Sequence, residues 1–218
     1  MSRRALVLAI TALAIVGFAI AGFLYNRSST NQSRVAAVEE SNSLVRPHSP
    51  ILGRGDARVT IVEFFDPACE TCRALYPVVK KIMAEYPDEV RLVLRYAAFH
   101  KGSDEAVRIL ESARKQGIYV PVKEALLAAQ PEWADHHQPQ IERAWTAAAT
   151  AGLNVEAARK GMLAPEITAV LTQDMADIRT LGVRQTPTFF VNGKPLPSFG
   201  ERQLQDLARS EVEAARKR

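Results

Sequence analysis

The chain opens on an unbroken apolar stretch and then passes into patterns of shorter period. Residues 5–25 are apolar or small throughout, with Thr11 the only hydroxyl besides Tyr25, and a run of that length spans a bilayer as a helix. Residues 26–50 are rich in Ser, Asn and Arg and hold Pro47 and Pro50. That composition predicts a flexible spacer; the alternative is a short helical stripe through Val35, Ala36, Val38 and Leu44, only two turns long and marginal alone. Residues 59–65 read VTIVEFF, β-branched or aromatic at nearly every position, as a strand buried on both faces requires. Glu63 is its one misfit. Leu75, Val78, Val79, Ile82 and Met83 then fall at helical spacing up to Tyr86-Pro87, and residues 90–96 make a second strand. Strand, helix and strand in that order predict a right-handed crossover and a parallel pair.

From about Ser103 to Leu181 helical periodicity is interrupted at Gly117, Pro121, Pro131, Pro139, Gly152 and Pro165, which predicts several short helices inserted as a unit. Strand character returns in the TFFV of residues 188–191 and ends on Asn192-Gly193, the pair favoured by a type I′ hairpin turn. Pro195 and Pro197 place the strand after it at an edge. Leu204, Leu207, Ala208 and Val212 mark an amphipathic closing helix. The predicted organisation is an anchor or signal segment at 1–25, a linker at 26–50 and an α/β domain at 51–218 with its helical insert at about 103–181.

At 218 residues, with 47% hydrophobic and 24% charged side chains, the chain suits one globular domain or two small ones and excludes disorder, a fibre and a polytopic membrane protein. The 28 basic residues include Arg3 and Arg4, so 26 stand against 24 acidic ones in the remainder, too even for a nucleic-acid binder. Arg3-Arg4 immediately before the apolar run orients it with the amino terminus inside, despite Arg27 and Arg34 behind it. Ala19-Ile20-Ala21 has the form of a signal-peptide cleavage site, but the apolar run continues past it, which favours a retained single-pass anchor in a bacterial cell membrane. Under either reading the domain works on the extracytoplasmic, periplasmic side.

Cys69 and Cys72 are the only cysteines. A C-x-x-C at a helix start has a chemical use, because unpaired backbone amides and the helix dipole stabilise a thiolate there. Cys69, nearer the start, is the expected nucleophile; Cys72, one turn in, is placed to resolve a mixed disulfide formed on Cys69. A structural zinc site needs four ligands, usually from two such pairs, and no second pair exists. His136-His137 beside Asp135 read as solvated surface, and His48 and His100 lack ligand spacing, so neither a metal nor another cofactor is expected. The rival from another class is a dithiol protein of the cell envelope that handles Cu(I), a soft ion suited to thiolates, although no Met-rich or His-rich segment adds ligands. Glu63 is costly in a buried strand unless hydrogen-bonded or neutral. It is expected to exchange a proton with Cys72, its pKa raised by desolvation; the alternative is a structural ion pair with Arg95. Before the third strand, a proline at Thr186-Pro187 can be cis and expose the Thr186 backbone to a bound peptide, or it simply enters the strand without touching the cysteines.

The segment EFFDPACETC, followed about 110 residues later by GVRQTPTFFVNGK, resembles the DsbA-like branch of the thioredoxin superfamily, over about residues 59–209. The resemblance implies a thioredoxin-like fold with an inserted helical subdomain, a redox-active pair at Cys69 and Cys72, a buried acid at Glu63 and a cis-proline loop at Thr186-Pro187. It also implies exported protein thiols or disulfides as substrates, and a membrane or soluble redox partner that recharges the pair. The chain departs from the strongest oxidants between the cysteines, where they carry Pro-His and it carries Glu70-Thr71. A histidine there stabilises the thiolate, whereas an ionised Glu70 opposes it, so these two residues are expected to tune the couple away from strong oxidation. Threonine before the cis-proline, seen in isomerase-type and reductase-type relatives, points the same way. The lysine that some relatives carry on the second strand has no match here, Arg95 being the nearest cation.

Overall fold

The computed structural model of the protein describes residues 43–217. The expected anchor at 1–25 and most of the expected spacer lie outside the described residues, and among those described no helix is long and apolar enough to cross a membrane. Five strands form one sheet: β1 (Ile51–Leu52), β2 (Val59–Phe65), β3 (Val90–Tyr96), β4 (Thr188–Val191) and β5 (Lys194–Pro195), in the order β1-β3-β2-β4-β5. The VTIVEFF run is the central strand, buried at every position but Thr60. β3 lies parallel to it in the expected crossover pairing, from Val59↔Val90 to Phe65↔Tyr96, and β4 lies antiparallel on its other side. Asn192 (φ 49) and Gly193 (φ 80) make the tight turn into the edge strand β5, as a two-residue type I′ hairpin requires. β1 had no signature in the sequence, since two residues carry no periodicity; it pairs Ile51 and Leu52 against Val93 and Leu92.

α1 (Glu70–Glu85) follows β2 directly. The insert holds α2 (Ser103–Lys115), α3 (Tyr119–Ala128), α4 (Gln130–Trp133), α5 (Ile141–Thr150), α6 (Val155–Gly161) and α7 (Pro165–Thr180), and α8 (Glu201–Arg216) closes the chain. Gly117 and Gly152 do end helices. Pro121, Pro131 and Pro165 instead sit in the first turns of α3, α4 and α7, where a missing N–H costs nothing.

The period of two along β2 divides its side chains between two cores. Val59, Ile61 and Phe65 face a core shared with α1, the insert and α8, and Glu63 falls on that face by the same alternation. Val62 and Phe64 face a smaller core with Leu44, Val93, Ile178 and Phe190. Arg95 lies opposite Phe64, not Glu63, so the alternative of a Glu63–Arg95 ion pair does not form across the sheet. Arg95 is fully buried and donates instead to Asp174 (2.9 and 2.7 Å), to Asp177 (2.6 Å) and, by a short bond, to the Ser43 carbonyl. Arg46 reaches Asp177 at 2.8 and 2.6 Å, and His48 Nε2 lies 2.7 Å from Asp174. Residues 43–50, read as the end of a free spacer, are therefore docked on the domain, with Leu44 3% exposed. Two buried carboxylates on α7 hold them there, and their composition gave no sign of it.

Arg95 is the one fully buried cation among the described residues that bonds both carboxylates, and without it Asp177 keeps only the part-exposed Arg46 and Asp174 only His48 as basic partners, so Arg95→Met is expected to destabilise the domain by about 3–5 kcal/mol. Arg46→Ala, at the half-exposed end of the same network, should cost about 1 kcal/mol or less. Urea unfolding midpoints of the two variants check this; equal losses would contradict the assignment.

Candidate active site

Cys69 is the residue that caps α1, and no side chain occupies the cap, so the amides of the first turn are left to the sulfur. Both cysteines are free thiols, with Cys69 5% and Cys72 0% exposed. Cys69 is pulled down to about 5 by hydrogen bonding from the Cys72 thiol, with smaller help from the Thr186 side chain and the backbone N–H groups of Cys72 and Thr71, all working against burial. Cys72 is driven far above the ordinary thiol range, by burial first and then by its hydrogen bond with Cys69 and the charge of Glu63. Two thiols one turn apart thus take opposite protonation states, a thiolate at the helix end and a thiol beneath it.

Glu63 is 1% exposed, and its Oε2 meets no hydrogen-bond partner. Burial pushes it up to about 7, against the opposing charge of Lys123 and with a further push from Cys69. Lys123, on α3, is the residue that sequence reasoning missed. It is fully buried with its Nζ unpartnered, 3.4 Å from the centroid of the Tyr76 ring and 5.2 Å from that of Phe65. Burial brings it down to about 8, while Glu63 and Glu124 pull the other way. A signal was available: Lys123 falls on the same helical face as Tyr119, Val122, Leu126 and Leu127, all buried, and a lysine inside an apolar stripe is out of place.

Two further buried side chains brace the turn. Asp66 accepts from the backbone N–H groups of Ala68 (2.9 Å), Phe99 (2.8 Å) and His100 (3.0 Å), sits 2.7 Å from His100 Nδ1, and takes a short bond from the Ser103 hydroxyl. Its own N–H points at Cys72 Sγ, 3.5 Å away. Gln130 Nε2 donates to the carbonyls of Pro67 (2.7 Å) and Cys69 (3.0 Å). Neither residue carried a sequence signal beyond the Asp-Pro that leads into the cysteines. Glu70 Oε1 lies 3.0 Å from His136 Nε2, and the His136 ring sits 4.9 Å from that of His100. His136 and His137 are exposed, as expected, and His136 with His100 stands beside Glu70 and Asp66, the residues that flank the cysteine turn. Thr71 is exposed on the first turn and offers Cys69 only its backbone N–H.

The Thr186-Pro187 peptide is cis, and Cys69 Sγ lies 3.3 Å from the Thr186 carbonyl oxygen. The loop therefore abuts the nucleophile, which excludes a proline that merely enters the strand. The fold brings Cys69, Cys72, Glu63 and Thr186-Pro187 to one end of the sheet, with Lys123 and Gln130 reaching in from the insert.

Residues 46–207 match the family model described as Thioredoxin. The Na(+)/H(+) antiporter NhaA of Herminiimonas arsenicoxydans is 30% identical over 146 residues, which cover 67% of this chain and 22% of the antiporter; the chain spans about a fifth of that relative's length. Disulfide bond formation protein D of Bacillus subtilis is 25% identical over 167 residues, 70% of this chain and 71% of that protein. Among solved structures, a thioredoxin-like oxidoreductase from Silicibacter pomeroyi DSS-3 is 35% identical with a TM-score of 0.69, over 81% of this chain and 98% of that one. BdbD from Bacillus subtilis, at 23% identity and a TM-score of 0.66, covers 76% of this chain and 93% of its own. With its fold, its helical insert and its paired cysteines at the end of the central strand, the chain belongs to the thioredoxin family.

Proposed function

We propose that the protein is an extracytoplasmic thiol-disulfide oxidoreductase, held at the membrane by its N-terminal segment, that exchanges disulfides with exported proteins. The observation that carries this reading is the free Cys69–Cys72 pair at the start of α1, with Cys69 Sγ 3.3 Å from the Thr186 carbonyl of the cis-proline loop and a buried Glu63 whose Oε2 has no hydrogen-bond partner. A thiolate is the attacking species in disulfide exchange. In the reducing direction Cys69 attacks a client disulfide, forms a Cys69–client bond and releases the client's other sulfur as a thiol. Cys72 then gives its proton toward Glu63 and attacks Cys69 Sγ. The second client sulfur departs, the client is reduced and the Cys69–Cys72 pair is oxidised; oxidation of a client runs the same steps in reverse. A membrane or soluble redox partner returns the pair to its working state.

Glu63 suits the proton step because a carboxyl held at about 7 takes and returns a proton near neutral pH. Lys123 keeps it there: without the buried cation, desolvation alone would hold the acid neutral. The Thr186-Pro187 loop, in contact with Cys69, offers backbone to a client strand beside the reacting sulfur. Glu70 is turned toward His136, which supports a softened opposition to the thiolate.

Cys69→Ser is expected to abolish reduction of insulin disulfides, and Cys72→Ser to accumulate client bound covalently at Cys69, seen on non-reducing gels; an active Cys69→Ser protein would overturn the assignment. Glu63→Gln should slow resolution of a preformed Cys69 mixed disulfide by about 100-fold or more, with little effect on its formation. Lys123→Met removes the charge that favours the carboxylate, so the pH at which resolution becomes fast should move up from near 7. A downward move or no move in stopped-flow pH profiles would contradict the role given to Lys123.

A further inference from the structure

Beside the cysteines, between the first turn of α1 and the stretch that follows α4, lies a cavity of about 360 Å³ lined by Glu70, Gln130, Asp135, His136 and His137 among others. That volume lies within the range of small-ligand sites. Its charged groups are acidic. Glu70 is exposed on the α1 side; Asp135 is held below the usual carboxylate range by the backbone N–H groups of Gln138 and His137. The cation nearby, Lys101, is turned to the His137 carbonyl at 3.1 Å.

A second observation makes the cavity more than an acidic cluster. Gln130 is 1% exposed, and while its Nε2 donates to two carbonyls of the cysteine turn, its Oε1 meets no hydrogen-bond partner. A buried amide oxygen left without a donor is destabilising, and a ligand that brings an N–H group to it removes that cost. The cavity therefore presents two carboxylates and an unused acceptor, with no fixed cation between them. The same Gln130 side chain bonds the Cys69 carbonyl, so the cavity adjoins the turn that carries Cys69.

We propose that this cavity is a recognition subsite for a basic side chain, lysine or arginine, close to the reacting cysteine of a client. The subsite presupposes the disulfide exchange described above and adds client selection to it. When Cys69 attacks a client disulfide, the flanking ammonium or guanidinium enters between Glu70 and Asp135 and donates to Gln130 Oε1. His136, 3.0 Å from Glu70, forms the movable side: entry of the client cation exchanges one partner of Glu70 for another. No bond other than the disulfide exchange itself is made or broken.

The test uses the full-length reduced protein and short peptides whose single cysteine is disulfide-linked to a chromophoric thiol. The residue beside the cysteine is Lys, Gln or Glu, placed in turn on either side. Release of the chromophore reports attack by Cys69 and leaves the Cys69–Cys72 pair oxidised and both products as thiols. With the wild type the Lys peptide of one series is expected to react about five- to tenfold faster than the Glu peptide, the size of one or two half-exposed ion pairs. The Glu70→Gln/Asp135→Asn double variant should bring that ratio close to one, and 0.5 M salt should shrink it in the wild type. The Gln peptide separates the two claims: no reaction with it overturns the dithiol reading itself, and the subsite with it. Reaction with it at equal rates for Lys and Glu, or a Lys preference that survives in the double variant, overturns the subsite alone.

Discussion

The reactive end of this domain is built over one carboxyl, Glu63, that the fold buries with its Oε2 unpartnered. Glu63 sits on the central strand, on the face that α1 covers, because strand alternation leaves it no other side. After burial and the hydrogen bond with Cys69, its negative charge raises Cys72 further and so helps keep that proton in place. Cys72 in turn donates to Cys69 and is the largest reason why the outer sulfur is a thiolate. The asymmetry of the pair is thus built from below. Burial of the inner thiol and of the acid beneath it accounts for more than the charge of the residues between the cysteines. Glu70, whose charge would oppose a thiolate, faces His136 at 3.0 Å.

The helical insert is part of this machinery and not an appendage. It supplies Lys123, the cation that balances Glu63, and Gln130, which clamps the turn carrying Cys69. Ser103, at the first turn of α2, and His100 just before it both bond Asp66, tying the entry to the insert to the residue three before Cys69. A minimal sheet with α1 alone would hold the cysteines but leave Glu63 without its counter-charge. On the other face the Arg95–Asp174–Asp177 cluster does a separate job. It fastens α7 and residues 43–50 to the sheet, away from the chemistry.

The parts of this architecture that repeat along the chain were readable in it. VTIVEFF, the apolar spacing after the cysteines and the Asn192-Gly193 turn each carry their own periodicity or turn chemistry, and each became the expected element. The cysteines and Glu63 stood out by type, one as a motif and the other as a charge in an apolar run. What stayed hidden was pairing at a distance. Lys123 lies 60 residues from Glu63 along the chain, and Arg95 looked like its partner because the two sit on neighbouring strands; only the register, one residue off, sends Arg95 to the opposite face. Asp66 and Gln130 act through backbone groups, which leave no complementary residue type in the sequence to find.

The account's central claim is that the two sulfurs are chemically unequal because of what lies beneath them. Alkylation of the reduced native protein with iodoacetamide across pH, with the modified cysteine located by mass spectrometry, measures that inequality directly. Modification of Cys69 alone, rising through an inflection near 5 while Cys72 stays unmodified until the protein is unfolded, is the predicted result. Comparable labelling of Cys72, or a Cys69 inflection in the ordinary thiol range near 8.5, would contradict it.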